Sequence, residues 1–182
     1  MHYDPRQVYQ PEADTYLLLD ATLNEVRPGD RVLEVGTGSG FIAGELSKRN
    51  NVVATEINPH AAICAHNAWI DVVRCNLIEP IRGRFDLVIF NPPYLPTKPH
   101  ERIDDWLEYA LDGGETGQAT IERFAADVAR VLAPEGRILL LVSSLTGLND
   151  VKNLFTRLDF SSDVVRQENV EDEILYVLRI HQ

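Results

Sequence analysis

The sequence predicts an α/β fold with a doubly wound, mostly parallel sheet of about seven strands and one antiparallel strand near the C-terminus. Strand-like and helix-like segments alternate from about residue 14 onwards. The clearest strand-like segments are continuous apolar runs, which are typical of strands buried on both faces of a parallel sheet. The last two strand-like segments are joined by a polar turn, which suits an antiparallel pair.

The first half of the chain predicts two buried strands, each followed by a helix. An apolar run after a Pro-Gly-Asp turn gives the first strand, and three closely spaced glycines then turn the chain into a helix. Asn58 followed by Pro59 supplies an N-cap and a first-turn proline for the next helix. The predicted elements are a helix over residues 15–24, strands over 31–35 and 52–56, a helix from 59 to 67, and a short strand from Asp71 to Cys75.

The second half of the chain predicts the rest of the sheet. Residues 85–90 (FDLVIF) are its least ambiguous strand, which two prolines end abruptly. An apolar stripe at helical spacing from Ile121 to Leu132 predicts a helix that ends near Pro134. The remaining predicted elements are a strand over 137–143, a helix with apolar positions 151, 154, 155 and 158, and an antiparallel pair over 163–167 and 174–180 with its turn at 168–173.

Length and charge limit what the chain can be. Its 182 residues fit one domain, spanning residues 1–182. No apolar run is long enough for a membrane span and no signal-peptide layout is present, so we expect a cytoplasmic protein. The formal net charge of -11 repels phosphate backbones, so we expect a protein substrate and no direct nucleic-acid binding. Cys64 and Cys75 lack the spacing of a zinc site, and no metal is expected.

The first of three motifs is a glycine-rich turn in VLEVGTGSG. Gly36, Gly38 and Gly40 let the backbone turn tightly against a bound ligand at the end of a buried strand. A dinucleotide fingerprint would require glycine or alanine at the position of Phe41. The spacing therefore favours a nucleotide-like cofactor without a pyrophosphate, and a purely structural turn is the alternative for this motif alone.

The second motif is an acidic residue at the end of the second strand. Glu56 lies twenty positions after Gly36. A carboxylate there can accept hydrogen bonds from both hydroxyls of a ribose, as the acidic residue does in nucleotide-binding sheets of this layout. The alternative is a surface glutamate that precedes a helix.

The third motif is Asn-Pro-Pro-Tyr, directly after the FDLVIF strand. The side-chain carbonyl of Asn91 can accept a hydrogen bond from a substrate NH2, and the carbonyl of Pro92 can accept a second. Tyr94 can pack on a flat group. Amide nitrogen is a poor nucleophile because its lone pair is delocalised, so orientation in a dry pocket is the source of rate that these residues suit. A rigid turn is the alternative reading of the motif in isolation.

Together these residues resemble the HemK-like N5-glutamine methyltransferase family, within the Rossmann-like class I S-adenosylmethionine-dependent methyltransferases. The resemblance spans nearly the whole chain. NPPY followed by LDGG is much more specific than either motif alone. The segments that carry the resemblance are PEADTYLLLD (11–20), VLEVGTGSG (32–40), TEINPHA (55–61), FDLVIFNPPY (85–94) and LDGGETG (111–117).

The resemblance implies that S-adenosyl-L-methionine is the cofactor and that a glutamine side-chain amide is methylated. The sequence Asn76-Leu77 stands where the family usually has aspartate before leucine, and the Asn76 side-chain oxygen can still accept a hydrogen bond from adenine. Asn91, Pro92 and Tyr94 are the implied catalytic residues, and Pro93 joins them in the substrate site. The implied cofactor-binding residues are Thr15, Glu34, Gly36, Gly38, Gly40, Glu56, Ile57, Asn76, Leu77 and Asn91.

The resemblance also implies a substrate and a partner. The substrate is the glutamine in the Gly-Gly-Gln loop of a translation release factor. Bacterial members have an additional N-terminal helical domain, whereas about a dozen residues precede the first predicted helix here, as in the short archaeal and eukaryotic branch. Members of that branch form a heterodimer with a small zinc-binding activator, which adds to the sheet edge, here the strand from Asp71 to Cys75. Trp69 and Ile70 beside this edge are candidates for an apolar interface or for the core.

Other functions stay open from the sequence. A pocket built on acceptors can hold other amines, so a methyltransferase for protein lysine or for a small molecule is one alternative. NPPY also occurs in methyltransferases that modify an exocyclic amine of adenine or guanine in RNA or DNA, although the sequence shows no basic stripe for gripping phosphates. A non-catalytic module that retains the fold is a further alternative.

Overall fold

A seven-stranded sheet lies at the centre of the computed structural model, which describes residues 1–98, 100–102 and 105–182. Its strands are β1 (Arg31–Val35), β2 (Asn51–Glu56), β3 (Val72–Arg74), β4 (Phe85–Phe90), β5 (Leu132–Ser143), β6 (Ser161–Val170) and β7 (Glu173–His181). They lie in the order β3-β2-β1-β4-β5-β7-β6, and β7 runs antiparallel to both of its neighbours. The predicted doubly wound sheet with one antiparallel strand near the C-terminus is confirmed.

Helices cover both faces of this sheet. They are α1 (Ala13–Glu25), α2 (Phe41–Leu46), α3 (Pro59–Asn67), α4 (Ala119–Val128) and α5 (Leu148–Thr156). Buried residues of α1, α2 and α3 form one apolar core with one face of the sheet, and those of α4 and α5 form a second core with the other face. Burial on both faces explains why the central strands are continuous apolar runs. Among the described residues, no helix is both long and apolar enough to cross a membrane.

Local sequence explains where several helices begin. The side chain of Asn58 accepts a hydrogen bond from the backbone N–H of His60 at 2.8 Å, and Pro59 occupies the first turn of α3. The predicted N-cap is therefore confirmed. Gly40 precedes α2 with a φ of 82°, a left-handed conformation that a side chain would strain.

The helix predicted to end near Pro134 is shorter in the structure. Helix α4 ends at Val128, and β5 begins at Leu132. The apolar pattern from Ile121 to Leu132 extends beyond the helix because Leu132, in β5, is buried in the same core as the apolar residues of α4. Pro134 lies inside β5, but the register with β4 shifts between Leu132 and Arg137, so its missing N–H removes no regular ladder hydrogen bond.

Other boundaries differ by a few residues. The predicted strand from Asp71 to Cys75 is shorter, the helix predicted over 15–24 is longer at both ends, and the helix predicted to include Leu158 ends at Thr156. The final two strands are longer than predicted, with a turn at residues 171–172 instead of 168–173. Most residues of β6 are exposed, so this edge strand has little apolar alternation to mark its ends.

The order of the strands positions the site. From β1 the chain continues outward through β2 and β3, whereas β4 lies on the other side of β1 and leads to β5. Sheets of this kind bind ligands where the strand order reverses, outside the carboxyl ends of the strands. The three predicted motifs follow or end β1, β2 and β4, so the topology brings them to one edge.

Candidate active site

A cavity of about 1110 Å³ opens at this edge of the sheet. Its size is sufficient for a nucleotide-like cofactor together with part of a substrate. With the exception of Gly40, every residue predicted to bind cofactor or substrate lines it. These residues are Thr15, Glu34, Gly36, Gly38, Glu56, Ile57, Asn76, Leu77, Asn91, Pro92, Pro93 and Tyr94.

The glycine-rich turn forms one wall of the cavity. Gly36 and Gly38 have φ values of 64° and 57°, so both positions favour glycine. Gly40 has a different role. A Cβ at Gly40 would lie 3.1 Å from the Cβ of Ala65 and 3.3 Å from Cγ1 of Ile70. Its lack of a side chain therefore lets the start of α2 approach α3, and its predicted contact with the cofactor stays a prediction.

Glu56 connects the glycine turn to the start of α3. Its Oε2 accepts a hydrogen bond from the Gly38 backbone N–H, and its Oε1 accepts one from the Asn58 backbone N–H, each at 2.8 Å. Burial raises the pKa of the Glu56 carboxyl, and these backbone donors oppose the rise. Each oxygen has further lone-pair capacity, so a carboxylate held in this way can also accept hydroxyl donors from a ligand.

Glu34, near the end of β1, also holds the glycine-rich turn in place. Its Oε2 accepts hydrogen bonds from the Thr37 hydroxyl and from the Ala43 backbone N–H, the latter at 3.0 Å. Burial raises the pKa of Glu34 to about 7, although both hydrogen bonds act to lower it. Glu34 thus ties β1, the glycine turn and the first turn of α2 together at the base of the cavity.

Asn91 is the most informative residue of the site. Its Nδ2 donates a hydrogen bond to Oδ2 of Asp14 at 3.0 Å. The Asn91 Oδ1 atom is buried, and no described residue or backbone group donates a hydrogen bond to it. Leaving a buried acceptor without a donor costs about 1–3 kcal/mol, so this atom is suited to a donor on a bound ligand.

Asp14 was not among the residues predicted from the sequence. It is 4% exposed, and it also accepts hydrogen bonds from the Tyr9 hydroxyl at 3.1 Å and from the Thr15 backbone N–H at 2.6 Å. Asp14 immediately precedes Thr15, which was predicted. An acidic side chain in the first turn of a helix usually interacts with the helix end, so its contact with Asn91, 77 positions later, gave no sequence signal.

The LDGGETG segment supports the Asn-Pro-Pro-Tyr turn. The Leu95 backbone N–H donates to the Leu111 carbonyl at 3.1 Å, and the Gly113 N–H donates to the Leu95 carbonyl at 2.9 Å. A Cβ at Gly117 would overlap the carbonyl oxygen of Tyr94. The two motifs are therefore in direct contact, which is a physical reason for their joint occurrence.

Two further segments enclose the cavity and were also missed. The Asn58 side chain donates to the Gln7 carbonyl at 2.6 Å, and the side chain of Gln7 accepts from the Trp106 backbone N–H at 3.1 Å. The Trp106 ring lies 6.0 Å from the Arg74 guanidinium and 5.1 Å from the Tyr109 ring. The N-terminal segment and the residues after the Asn-Pro-Pro-Tyr turn thus meet across the cavity.

The charge of the cavity is negative. Seven acidic and three basic residues line it, and one of the bases, Arg102, pairs with Asp112 at 2.8 Å. Burial raises the pKa of the Tyr94 phenol, and the nearby Asp14 adds to the rise, so Tyr94 stays neutral at physiological pH. The described residues contain no group of His, Cys, Asp and Glu that could hold a metal ion. The cavity therefore suits a cationic ligand better than a phosphate.

Trp69 and Ile70, the two apolar residues beside the β3 edge of the sheet, lie in different environments. Ile70 is 4% exposed and packs in the core, whereas Trp69 is 93% exposed. Val73 in β3 is also exposed, and β3 lies at the end of the sheet, beyond β2. An edge strand with an exposed tryptophan beside it is a surface that another chain can cover.

The fold and the cavity together define a class I methyltransferase. A family model described as the methyltransferase small domain matches residues 11–105, just over half of the chain. A Methanocaldococcus jannaschii protein with the name "Putative protein N5-glutamine methyltransferase MJ0928" is 36% identical over 180 residues, covering 94% of this chain and 90% of that protein. Mouse methyltransferase HEMK2 is 34% identical over 197 residues, covering 96% of this chain and 89% of that one. The chain belongs to this HemK-like N5-glutamine methyltransferase family, so the resemblance seen in the sequence is confirmed.

A solved structure of this family has the same fold. It is the E. cuniculi Mtq2-Trm112 complex, described as responsible for methylation of the translation termination factor eRF1. The matched chain is 28% identical, with a TM-score of 0.81 over 97% of this chain and 99% of that one.

Proposed function

We propose that this methyltransferase uses S-adenosyl-L-methionine to methylate the side-chain amide nitrogen of a glutamine in a protein, and that a translation release factor is its substrate. The observation that carries the proposal is at Asn91, a residue that lines the large cavity and whose side-chain Oδ1 is buried without a hydrogen-bond donor. The family relatives named for glutamine and for eRF1 methylation support the same substrate.

The residues of the cavity fit the cofactor. Glu56 would accept hydrogen bonds from the ribose hydroxyls, and Asn76 would accept one from the adenine amino group. A Cβ at Gly38 would have nothing within 4 Å, and one at Gly36 would meet only a ring carbon of Phe90, at 3.6 Å, so this wall has room for the cofactor. When bound, S-adenosyl-L-methionine supplies an electrophilic methyl group on a positively charged sulfur. The excess of acidic residues around the cavity favours that charge.

The residues of the Asn-Pro-Pro-Tyr turn would hold the target amide. A primary amide has two N–H donors, which Asn91 Oδ1 and the Pro92 carbonyl can accept. These two hydrogen bonds would fix the position of the nitrogen, and the half-buried Tyr94 would pack against the flat amide. Because the amide nitrogen is a weak nucleophile, its orientation in a site shielded from water is the contribution expected of the protein.

The charge distribution favours a protein over a nucleic acid. An exocyclic base amine could also donate to Asn91, but its phosphates would meet an acidic cavity and a chain with a net charge of -11. A nucleic-acid substrate is therefore the alternative that must be distinguished from a protein substrate by experiment.

We further propose a heterodimer with a small zinc-binding activator at the β3 edge. The E. cuniculi relative was solved in complex with a second protein, Trm112. The open edge of β3, with Trp69 and Val73 exposed beside it, supports docking of such a partner by strand addition. We also propose that the enzyme acts in the cytoplasm, because release factors act where translation terminates.

The test is a transfer assay with S-adenosylmethionine carrying a radiolabelled methyl group. The purified chain, alone and with a zinc-binding activator, is incubated with a release factor or with its Gln→Ala variant in the Gly-Gly-Gln loop, and with RNA and DNA in parallel. We expect label on the release factor that is lost in its variant. Asn91→Ala in the enzyme should lower the rate by about 10²–10³-fold, while Asn153→Ala, an exposed asparagine in α5, should not. Label on nucleic acid alone would overturn the protein substrate.

A further inference from the structure

The contacts of Asn91 point to a second residue that governs how it meets the substrate. We infer that Asp14 is a positioning residue, which holds Nδ2 of the Asn91 side-chain amide and so leaves Oδ1 as the acceptor for the substrate. This inference rests on the proposed function, because it concerns the acceptor that would hold the target amide.

The carboxylate of Asp14 is itself held in place. Its Oδ1 accepts hydrogen bonds from the Thr15 backbone N–H at 2.6 Å and from the Thr15 hydroxyl at 3.1 Å. Its Oδ2 accepts from the Tyr9 hydroxyl at 3.1 Å and from Asn91 Nδ2 at 3.0 Å. With four donors on two oxygens and 4% exposure, the group has little freedom to rotate.

An asparagine needs such a partner because its oxygen and nitrogen are nearly the same size. A rotation of the amide by half a turn exchanges acceptor and donor with almost no change in shape. A carboxylate can only accept, so Asp14 selects the orientation in which the NH2 group of Asn91 faces it. In the opposite orientation the substrate amide would meet a donor instead of an acceptor, which would lose one hydrogen bond and leave buried donors unmatched.

The variant Asp14→Asn tests this directly. The Thr15 backbone N–H keeps the new side-chain oxygen at the Oδ1 position, so the new NH2 group takes the Oδ2 position, facing Asn91, while the Tyr9 hydroxyl can rotate to accept. Asn91 is then expected to flip and to present its NH2 group to the substrate. We expect kcat to fall by about 10- to 100-fold. Asp20→Asn, an exposed carboxylate of the same helix, is the matched control and should keep the wild-type kcat.

A swap of the two side chains distinguishes positioning from a general structural role. Asn91→Asp alone places two carboxylates against each other and should also lower kcat by at least about tenfold. In the double variant Asp14→Asn/Asn91→Asp, the amide at position 14 donates to the carboxylate at position 91, which again presents an oxygen to the substrate. Recovery to within about fivefold of wild type is the expected result. A double variant as slow as the product of the two single losses would overturn the inference.

A binding measurement covers the case in which the double variant does not fold. Release-factor variants with Gln or with Glu in the target position are titrated against the wild type and Asp14→Asn, each saturated with S-adenosylhomocysteine. The wild type should prefer Gln, and Asp14→Asn should lose or reverse that preference because it presents a donor. An unchanged preference would refute the role of Asp14. If the wild type instead methylates only nucleic acid, the proposed function fails by itself, and the swap is then measured on that amine substrate.

Discussion

For single residues, the site consists of buried acceptors whose donors come from the protein, with two exceptions. Glu34, Glu56 and Asp14 each accept hydrogen bonds from backbone N–H groups nearby. Among the described residues that line the cavity, two side-chain oxygens are fully buried and have no hydrogen-bond partner, Asn91 Oδ1 and the hydroxyl of Thr55. Asn91 belongs to the Asn-Pro-Pro-Tyr turn, so its unpaired Oδ1 is the acceptor that we assign to the substrate.

The first prediction concerns Glu34 and pH. Its carboxyl has an ordinary pKa of 4.5 and a folded-state pKa of about 7, so the stability that it contributes is fully present below pH 4.5 and lost as pH rises through 7. Glu34→Gln removes this titration. Between pH 4.5 and pH 8, the free energy of unfolding of the wild type should fall by up to about 3 kcal/mol relative to the variant, as measured by urea unfolding. A pH-independent difference between the two proteins would contradict the prediction.

The sequence anticipated many of the side chains around the cavity, because each follows a strand in one of three short motifs. Gly36, Glu56 and Asn91 all line it. Asp14 and Trp106 were missed, because their roles depend on contacts with residues that are far away in the chain. Gly40 was predicted to bind the cofactor, but its close approach to Ala65 could not be seen in the motif. The individual roles of the lining residues stay predictions.

At the scale of elements, the Asn-Pro-Pro-Tyr turn depends on the LDGGETG segment behind it. Gly117→Ala should destabilise the protein in two ways, through its φ of 73° and through overlap with the Tyr94 carbonyl. Gly29→Ala is the matched control, since its φ is 88° and nothing lies within 4 Å of a new Cβ. We expect Gly29→Ala to cost about 1 kcal/mol and Gly117→Ala about 1–3 kcal/mol more, measured by urea unfolding. Equal losses would show that the contact between the two motifs is unimportant.

The open edge of β3 gives a second prediction at this scale. Val73 in β3 and Val164 in β6 are each 38% exposed, and they lie in the two opposite edge strands of the sheet. Val73→Lys should weaken binding of the activator by at least about tenfold, because a charge would enter an apolar interface. Val164→Lys should leave it unchanged. Isothermal titration with the purified activator measures both, and equal effects would place the partner elsewhere.

The sequence predicted the elements better than their ends. The strand FDLVIF matched β4 at both ends, because prolines and glycine flank a purely apolar run. The start of β5 was missed because Leu132 continues the apolar stripe of α4, and the position of Pro134 in an irregular part of the strand pairing is set by β4. The sequence could not predict that Trp69 is exposed and Ile70 is buried, since both are apolar and adjacent.

For the whole molecule, the net negative charge should strengthen binding of the positively charged cofactor. The chain carries a net charge of -11, and acidic residues outnumber basic ones around the cavity. S-adenosylmethionine has one more positive charge than S-adenosylhomocysteine. Raising NaCl from about 0.05 M to about 0.5 M should therefore increase the Kd of the former by about three- to tenfold and change the latter much less. Calorimetry measures both, and parallel salt dependence would mean that the field of the protein does not act on the cofactor.

The acceptors around Asn91 are proposed to bind a glutamine amide in a protein. This proposal is tested most directly by mass spectrometry of a release factor after reaction with the enzyme, its activator and S-adenosylmethionine, with RNA from the same reaction digested and analysed for methylated bases. We expect a single methyl group on the side-chain nitrogen of the Gly-Gly-Gln glutamine, absent with Asn91→Ala. Methylated adenine or guanine together with an unmodified release factor would contradict it.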